Sequence, residues 1–129
     1  LTSFNAYSSV LGIFLNLRSQ YNPLYVTGYG SQRRDFIHVR DVAAANVAAA
    51  QASEFSNTAY NIGQGDTMSV LELAQQISTN IEFIEMRKGE ADITHADNTK
   101  AKDELKWQPA MNLSAYLKDE IALIDSKRN

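Results

Sequence analysis

The sequence predicts an α/β fold, because short β-branched and aromatic runs alternate with amphipathic or alanine-rich stretches, and glycine or proline separates them. The chain has 129 residues, 44% hydrophobic and 21% charged, enough for one domain that buries roughly two-thirds of its unfolded surface. A few short strands with about five helices leave no room for a second domain, so residues 1–129 read as one unit.

The elements follow in order. Val10, Ile13, Phe14 and Leu17 repeat at helical spacing, predicting a helix over residues 8–19. Pro23 ends it, since the residue before a proline is pushed out of the α region. Residues 24–27 read as a strand, Gly28-Tyr29-Gly30 as a turn, and residues 35–39 as a second strand that pairs with the first. Asp41 stands where an N-cap is expected, ahead of the alanine-rich helix 42–50. Residues 58–62 read as a third strand, ended by Gly63-Gln64-Gly65. Ser69 and Glu72 form a capping box that opens a helix over Val70, Leu73, Ala74 and Ile77. A fourth strand is expected at 81–86 and a short helix at 97–105. A final amphipathic helix runs through Leu113, Tyr116, Leu117, Ile121 and Ile124.

Composition excludes several function classes. A formal charge of −3 without like-charge runs argues against nucleic acid or anionic membrane as partner. The absence of cysteine removes disulfides, thiolate nucleophiles and zinc–thiolate sites, and a cytoplasmic address is expected. No apolar stretch approaches the roughly 20 residues of a membrane span. The opening Leu1-Thr2-Ser3-Phe4-Asn5 has neither initiator Met nor leader pattern and reads as the edge of a longer chain.

Catalytic motifs are scarce. His38 and His95 have no metal-binding spacing; His38 reads as structural and His95 as solvated or capping. There is no nucleophile elbow and no P-loop. Gly28-Tyr29-Gly30 and Gly63-Gln64-Gly65 each lack the third glycine of a dinucleotide fingerprint, so both read as turns. The cations stand out. Arg33-Arg34 follows one glycine turn, and Arg87-Lys88-Gly89-Glu90 follows the fourth strand. Two strand-adjacent guanidinium forks could clamp one diphosphate; alternatively each pairs with a local acid such as Asp35 or Glu85.

The segment from Pro23 to Val42, containing Gly28-Tyr29-Gly30-Ser31-Gln32-Arg33-Arg34-Asp35-Phe36-Ile37-His38-Val39, resembles the NAD-dependent nucleotide-sugar epimerases and dehydratases, the extended short-chain dehydrogenases. Their pattern there is Pro-Leu-x-Ile-Tyr-Gly-x-Gly-x-Gln-x-Arg-Asp-Phe-x-x-Val-x-Asp. Tyr7-Ser8-Ser9-Val10, Tyr60-Asn61-Ile62-Gly63-Gln64-Gly65, Arg87-Lys88-Gly89-Glu90, Ala96-Asp97 with Lys100-Ala101, and Leu105-Lys106-Trp107 with Pro109 are similar to further family motifs, in the family's order. The UDP-glucose 4-epimerases look nearest, with the dTDP-glucose and GDP-mannose dehydratases as cousins.

The resemblance implies a single C-terminal, substrate-binding domain. It implies that Arg34 and Arg87 contact the diphosphate of a UDP-sugar, that Tyr25, Thr27 and Phe36 lie against the nucleoside, and that Glu90 accepts a bond from a ribose hydroxyl. Two departures matter: Thr27 stands at a base-flanking position that is often aromatic, and Glu90 replaces an Asp. The family's Rossmann half, with its NAD loop and catalytic Tyr-x-x-x-Lys pair, is not in this sequence. The residues four after Tyr7, Tyr21, Tyr25, Tyr29, Tyr60 and Tyr116 are Leu11, Tyr25, Tyr29, Arg33, Gln64 and Glu120, none of them lysine. The expectation is a UDP-sugar-binding part without catalytic residues or a metal site, its NAD held by the full-length parent. Alternatives are part of a 4,6-dehydratase, or a non-catalytic ligand-sensing or interaction module. Residues 58–62, free of Gly, Pro and charge, are expected to leave an open strand edge through which the chain forms a homo-oligomer.

Overall fold

The computed structural model describes residues 7, 9–52, 60–85 and 97–127. In chain order these form α1 (Ser9–Ser19), β1 (Leu24–Thr27), β2 (Arg33–Arg34), α2 (Val39–Gln51), β3 (Met68–Ser69), α3 (Val70–Ile77), β4 (Ile81–Ile84), α4 (Thr99–Leu105) and α5 (Leu113–Lys127). The α/β class is as expected. The strand pairing is not.

β1 pairs in parallel with β4, Leu24 opposite Ile81 and Thr27 opposite Ile84. A parallel neighbour needs a crossover, and α3, lying between them in sequence, supplies part of it. Alternation along β1 sends Leu24 and Val26 into the core and leaves Tyr25 and Thr27 on the other face.

The strand expected over 35–39 does not form. Extended pairing stops at Arg34, where β2 lies antiparallel to β3 with Arg33 opposite Ser69 and Arg34 opposite Met68. The next partner in that ladder would be Thr67, but its two backbone groups are taken by side chains. Its N–H donates to Asp66 Oδ1 at 2.8 Å, and its carbonyl accepts from Arg33 Nη2 at 2.9 Å. The N-cap also shifts. His38, not Asp41, caps α2: its Nδ1 accepts the Arg40 N–H at 2.9 Å, while Asp41 sits inside the first turn.

The α1 stripe is likewise rotated. Leu11, Phe14 and Leu15 form its buried face, whereas Ile13 is 56% exposed. These residues join Leu24, Val26, Leu73, Ala74, Ile77, Leu117 and Ile124 in the main core. Arg18 ties three helices around it, its Nη1 donating to the Ile77 carbonyl at 2.6 Å and its Nη2 reaching both Asp125 carboxylate oxygens at 3.0 and 2.8 Å. The capping box is present in its first half, with Ser69 Oγ accepting the Glu72 N–H at 3.0 Å.

A second, smaller cluster gathers Ala45, Ala101, Leu105 and Trp107 beneath Ile37, Tyr60 and Ile62. Thr58 and Ala59 of the expected third strand lie outside the described residues. Residues 60–62 carry no strand pairing, because they pack side chains onto this cluster and no described strand lies alongside to complete a ladder. Among the described residues, no helix is long and apolar enough to cross a membrane.

Candidate functional site

Arg33 and Arg34 are neighbours in one short strand, so their side chains leave on opposite faces. Arg33 is engaged internally. Its Nε donates to Thr67 Oγ1 at 2.9 Å, its Nη2 to the Thr67 carbonyl, and its Nη1 lies 3.3 Å from Glu72 Oε1. The Arg34 guanidinium makes one hydrogen bond among the described residues, from Nη1 to the Arg33 carbonyl at 2.9 Å. No described carboxylate pairs with it.

Arg34 stands between two cavities. One, of about 330 Å³, lies between α1, β1 and the start of α3 and is lined by Ile13, Tyr25, Thr27, Gln32, Arg34 and Val70 among others. The other, of about 180 Å³, is lined by Arg34, Phe36, Gln64, Thr67, Asn112 and Ser114 with their neighbours. The fold thus gathers Tyr25, Thr27 and Arg34 around one cavity and places Phe36, 4% exposed, in the wall of the other. Arg87 and Glu90 lie outside the described residues.

Among the lining residues that sequence reasoning missed are Gln32 and Val70. Buried Gln32 donates from Nε2 to Thr27 Oγ1 at 2.8 Å and sets that hydroxyl in the cavity wall. Its signal was the glutamine two positions before Arg34 in the family pattern. Val70 had no signal beyond its place after a helix cap, because its approach to Arg34 depends on β2 pairing with β3.

The local acid proposed as a partner for Arg34 is engaged elsewhere. Asp35 Oδ1 accepts the Gln64 N–H at 2.7 Å, and Oδ2 accepts the Gly65 N–H at 3.0 Å. Successive amides of this kind form an anion-binding nest, and Gly65 reaches the required left-handed region at φ +86°. The turn therefore holds a carboxylate of its own chain. The other glycine turn is closed by packing, since a Cβ on Gly30 would meet Val26 Cγ1 at 2.6 Å and Leu71 Cβ at 2.7 Å. Both glycine turns are thus engaged by contacts within the chain.

The titratable groups elsewhere are structural. His38 sits edge-on to Tyr7 and Tyr116, with centroids 5.0 and 5.5 Å away, and burial lowers its pKa. Its Nδ1 is the cap acceptor, so the neutral ring carries its proton on Nε2. Burial, reinforced by Asp41, pushes the Tyr7 hydroxyl up to about 12, which keeps it protonated. Among the described residues, no group of three or more His, Cys, Asp or Glu could hold a metal.

Comparisons with known proteins bear on the family and the fold. A family model described as GDP-mannose 4,6 dehydratase matches residues 8–120. The bifunctional UDP-glucose 4-epimerase and UDP-xylose 4-epimerase 3 of Arabidopsis thaliana is 34% identical over 106 residues, covering 74% of this chain and 30% of that protein. The crystal structure of a UDP-glucose 4-epimerase with UDP-glucose from Thermotoga maritima superposes with a TM-score of 0.82 at 27% identity. That match covers 95% of this chain and 41% of the other. A UDP-glucuronic acid 4-epimerase of Bacillus cereus, solved with UDP-glucuronic acid and NAD, gives a TM-score of 0.75 at 28% identity, covering 88% and 38%. The chain thus spans well under half the length of the relatives it matches. It belongs to the nucleotide-sugar epimerase and dehydratase family of extended short-chain dehydrogenases, and corresponds to the C-terminal part of its members.

Proposed function

We propose that this chain is the nucleotide-sugar-binding C-terminal part of a UDP-sugar 4-epimerase, the parent interconverting UDP-glucose and UDP-galactose in an NAD-dependent reaction in the cytoplasm. The observation that carries the reading is the Arg34 guanidinium, held on a rigid strand with no described carboxylate on it and open to two cavities. A guanidinium fork so placed suits phosphate oxygens. In this reading the nucleoside lies along Tyr25 and Thr27, with Phe36 supporting the far side of Arg34. Arg87 supplies the second arm of the clamp and Glu90 meets the ribose. NAD and the proton-transferring residues belong to the rest of the parent. This part contributes binding energy and orientation, which a remote diphosphate grip converts into correct placement of the reacting carbon.

Calorimetric titration with UDP tests this. Replacing Arg34 with Ala should cost about 1.5–3 kcal/mol, the range for hydrogen bonds to charged groups, while uridine binding stays nearly unchanged. UDP affinity that survives Arg34→Ala would overturn the assignment. A 4,6-dehydratase parent is the second reading, favoured by the family model that matches residues 8–120. Comparing UDP, dTDP and GDP in the same titration separates the two. Self-association is part of the proposal too, and Val39 and Val47 on α2, each about half exposed, are apolar side chains left at the surface. Sedimentation at micromolar concentration should show a dimer, and a clean 14.4 kDa monomer would overturn it.

A further inference from the structure

Arg34 and Asp35 are consecutive, so opposite charges follow one another where the chain leaves β2, and of the two only Arg34 lines the cavities. Alternation turns adjacent side chains apart only while the chain stays in the strand; past Arg34 the pairing has ended, and a carboxylate free to fold back onto the guanidinium would compete with any incoming anion. The fold prevents it. Both Asp35 oxygens are drawn onto the Gln64 and Gly65 amides, at 2.7 and 3.0 Å. Asn98 holds that turn from behind. Its side chain is nearly fully buried, Nδ2 donates to the Gly63 carbonyl at 2.8 Å, and a Cβ on Gly65 would come within 3.0 Å of it.

From this juxtaposition we propose that Asp35 is a positioning residue for the anion site. The Gln64–Gly65 amide nest sequesters its carboxylate, keeping the Arg34 guanidinium available to a diphosphate. The inference deepens the diphosphate reading of Arg34 and rests on it. The two amides hold the carboxylate through hydrogen bonds from neutral donors. The same bonds fix Gln64 in the wall of the smaller cavity.

The arrangement makes an inverted prediction about conservative substitution. Asp35→Glu keeps the charge, but its extra methylene takes the carboxylate out of register with the two amides and lets it swing to Arg34. Asp35→Asn removes the charge and still offers one oxygen to the nest. UDP and inorganic pyrophosphate are titrated against the unaltered chain and each variant, with uridine as control and thermal melts on every sample. Asp35→Glu should weaken both anions about three- to tenfold, the size of a partly exposed ion pair that phosphate must displace. Asp35→Asn should stay within about twofold even where its melting temperature drops. In an Arg34→Ala background Asp35→Glu should have no further effect, and this arm stands even if the Asn variant fails to fold.

A purely structural Asp35 would give another pattern: anion and uridine affinities would fall together, in step with lost stability, with Asn at least as damaging as Glu. That pattern, or an Asp35→Glu effect that persists without Arg34, would overturn the inference and leave the Arg34 assignment intact. Loss of all UDP and pyrophosphate binding in the unaltered chain would overturn both.

Discussion

Two charged side chains from one short segment, Asp41 and Arg34, meet opposite fates. Asp41 is 3% exposed, and both its oxygens accept backbone N–H groups, from Ala110 at 2.9 Å and Met111 at 3.0 Å. Its own carbonyl accepts the Trp107 indole N–H at 2.9 Å. One residue thereby pins the 107–111 loop to the start of α2. Arg34, on the cavity side of the same segment, spends one of its five donors among the described residues. The contrast separates architecture from binding capacity more clearly than residue type does. A buried carboxylate bonded through both oxygens specifies the fold, while a guanidinium on a strand with donors unspent among the described residues is the one proposed to meet a ligand.

That contrast can be broken at its structural end first. Asp41→Ala removes two charge-assisted hydrogen bonds that tie the partly buried 110–111 amides to α2, so stability should fall by about 3 kcal/mol in urea unfolding. Any folded fraction should bind UDP normally. Arg34→Ala should do the reverse: the roughly 1.5–3 kcal/mol loss appears in UDP affinity, while unfolding shifts by no more than about 0.5 kcal/mol. Arg33→Ala sharpens the point, because the same residue type one position away serves the fold. Loss of its Thr67 bonds should cost about 1 kcal/mol of stability and leave UDP affinity within about twofold. A larger effect of Arg33→Ala on UDP than on stability would erase the distinction between the two faces of β2.

The smallest expected effect is a pH dependence at the α2 cap. Burial depresses the His38 pKa below its ordinary 6.5. The unfolded chain therefore binds the proton more readily than the folded one. The contribution is fully present above about pH 6.5 and is lost as pH falls through the folded value. The proton would enter at Nδ1, the atom that accepts the Arg40 N–H, so the cap itself is what fails. Melts between pH 7.5 and 5 should show this decline, and His38→Asn, which keeps an acceptor without titrating, should flatten it.

The fold class and the positions of α1, β1, α3, β4 and α5 were legible in local pattern, because helical periodicity, capping chemistry and proline act within a few residues. The chemistry of the site was legible in part. The Pro23–Val42 segment carried Arg34, Tyr25, Thr27 and Phe36 together, and the structure gathers these four around two adjoining cavities. What local pattern could not supply was partnership. Residues 35–39 have the composition of a strand, yet both backbone groups of the residue that would pair with them are occupied by Asp66 and Arg33. Asp41 has the composition of a cap, yet its carboxylate is claimed by amides at 110 and 111. Asp35 looked like the natural partner of Arg34, yet a turn thirty residues away takes its charge. In the last two cases a short-range preference worth about 1 kcal/mol lost to backbone N–H groups far along the chain, at Gln64 and Gly65 for Asp35 and at Ala110 and Met111 for Asp41. The sequence by itself therefore determined which elements and charges this protein has, and only the tertiary structure decided which of those charges remains available to bind.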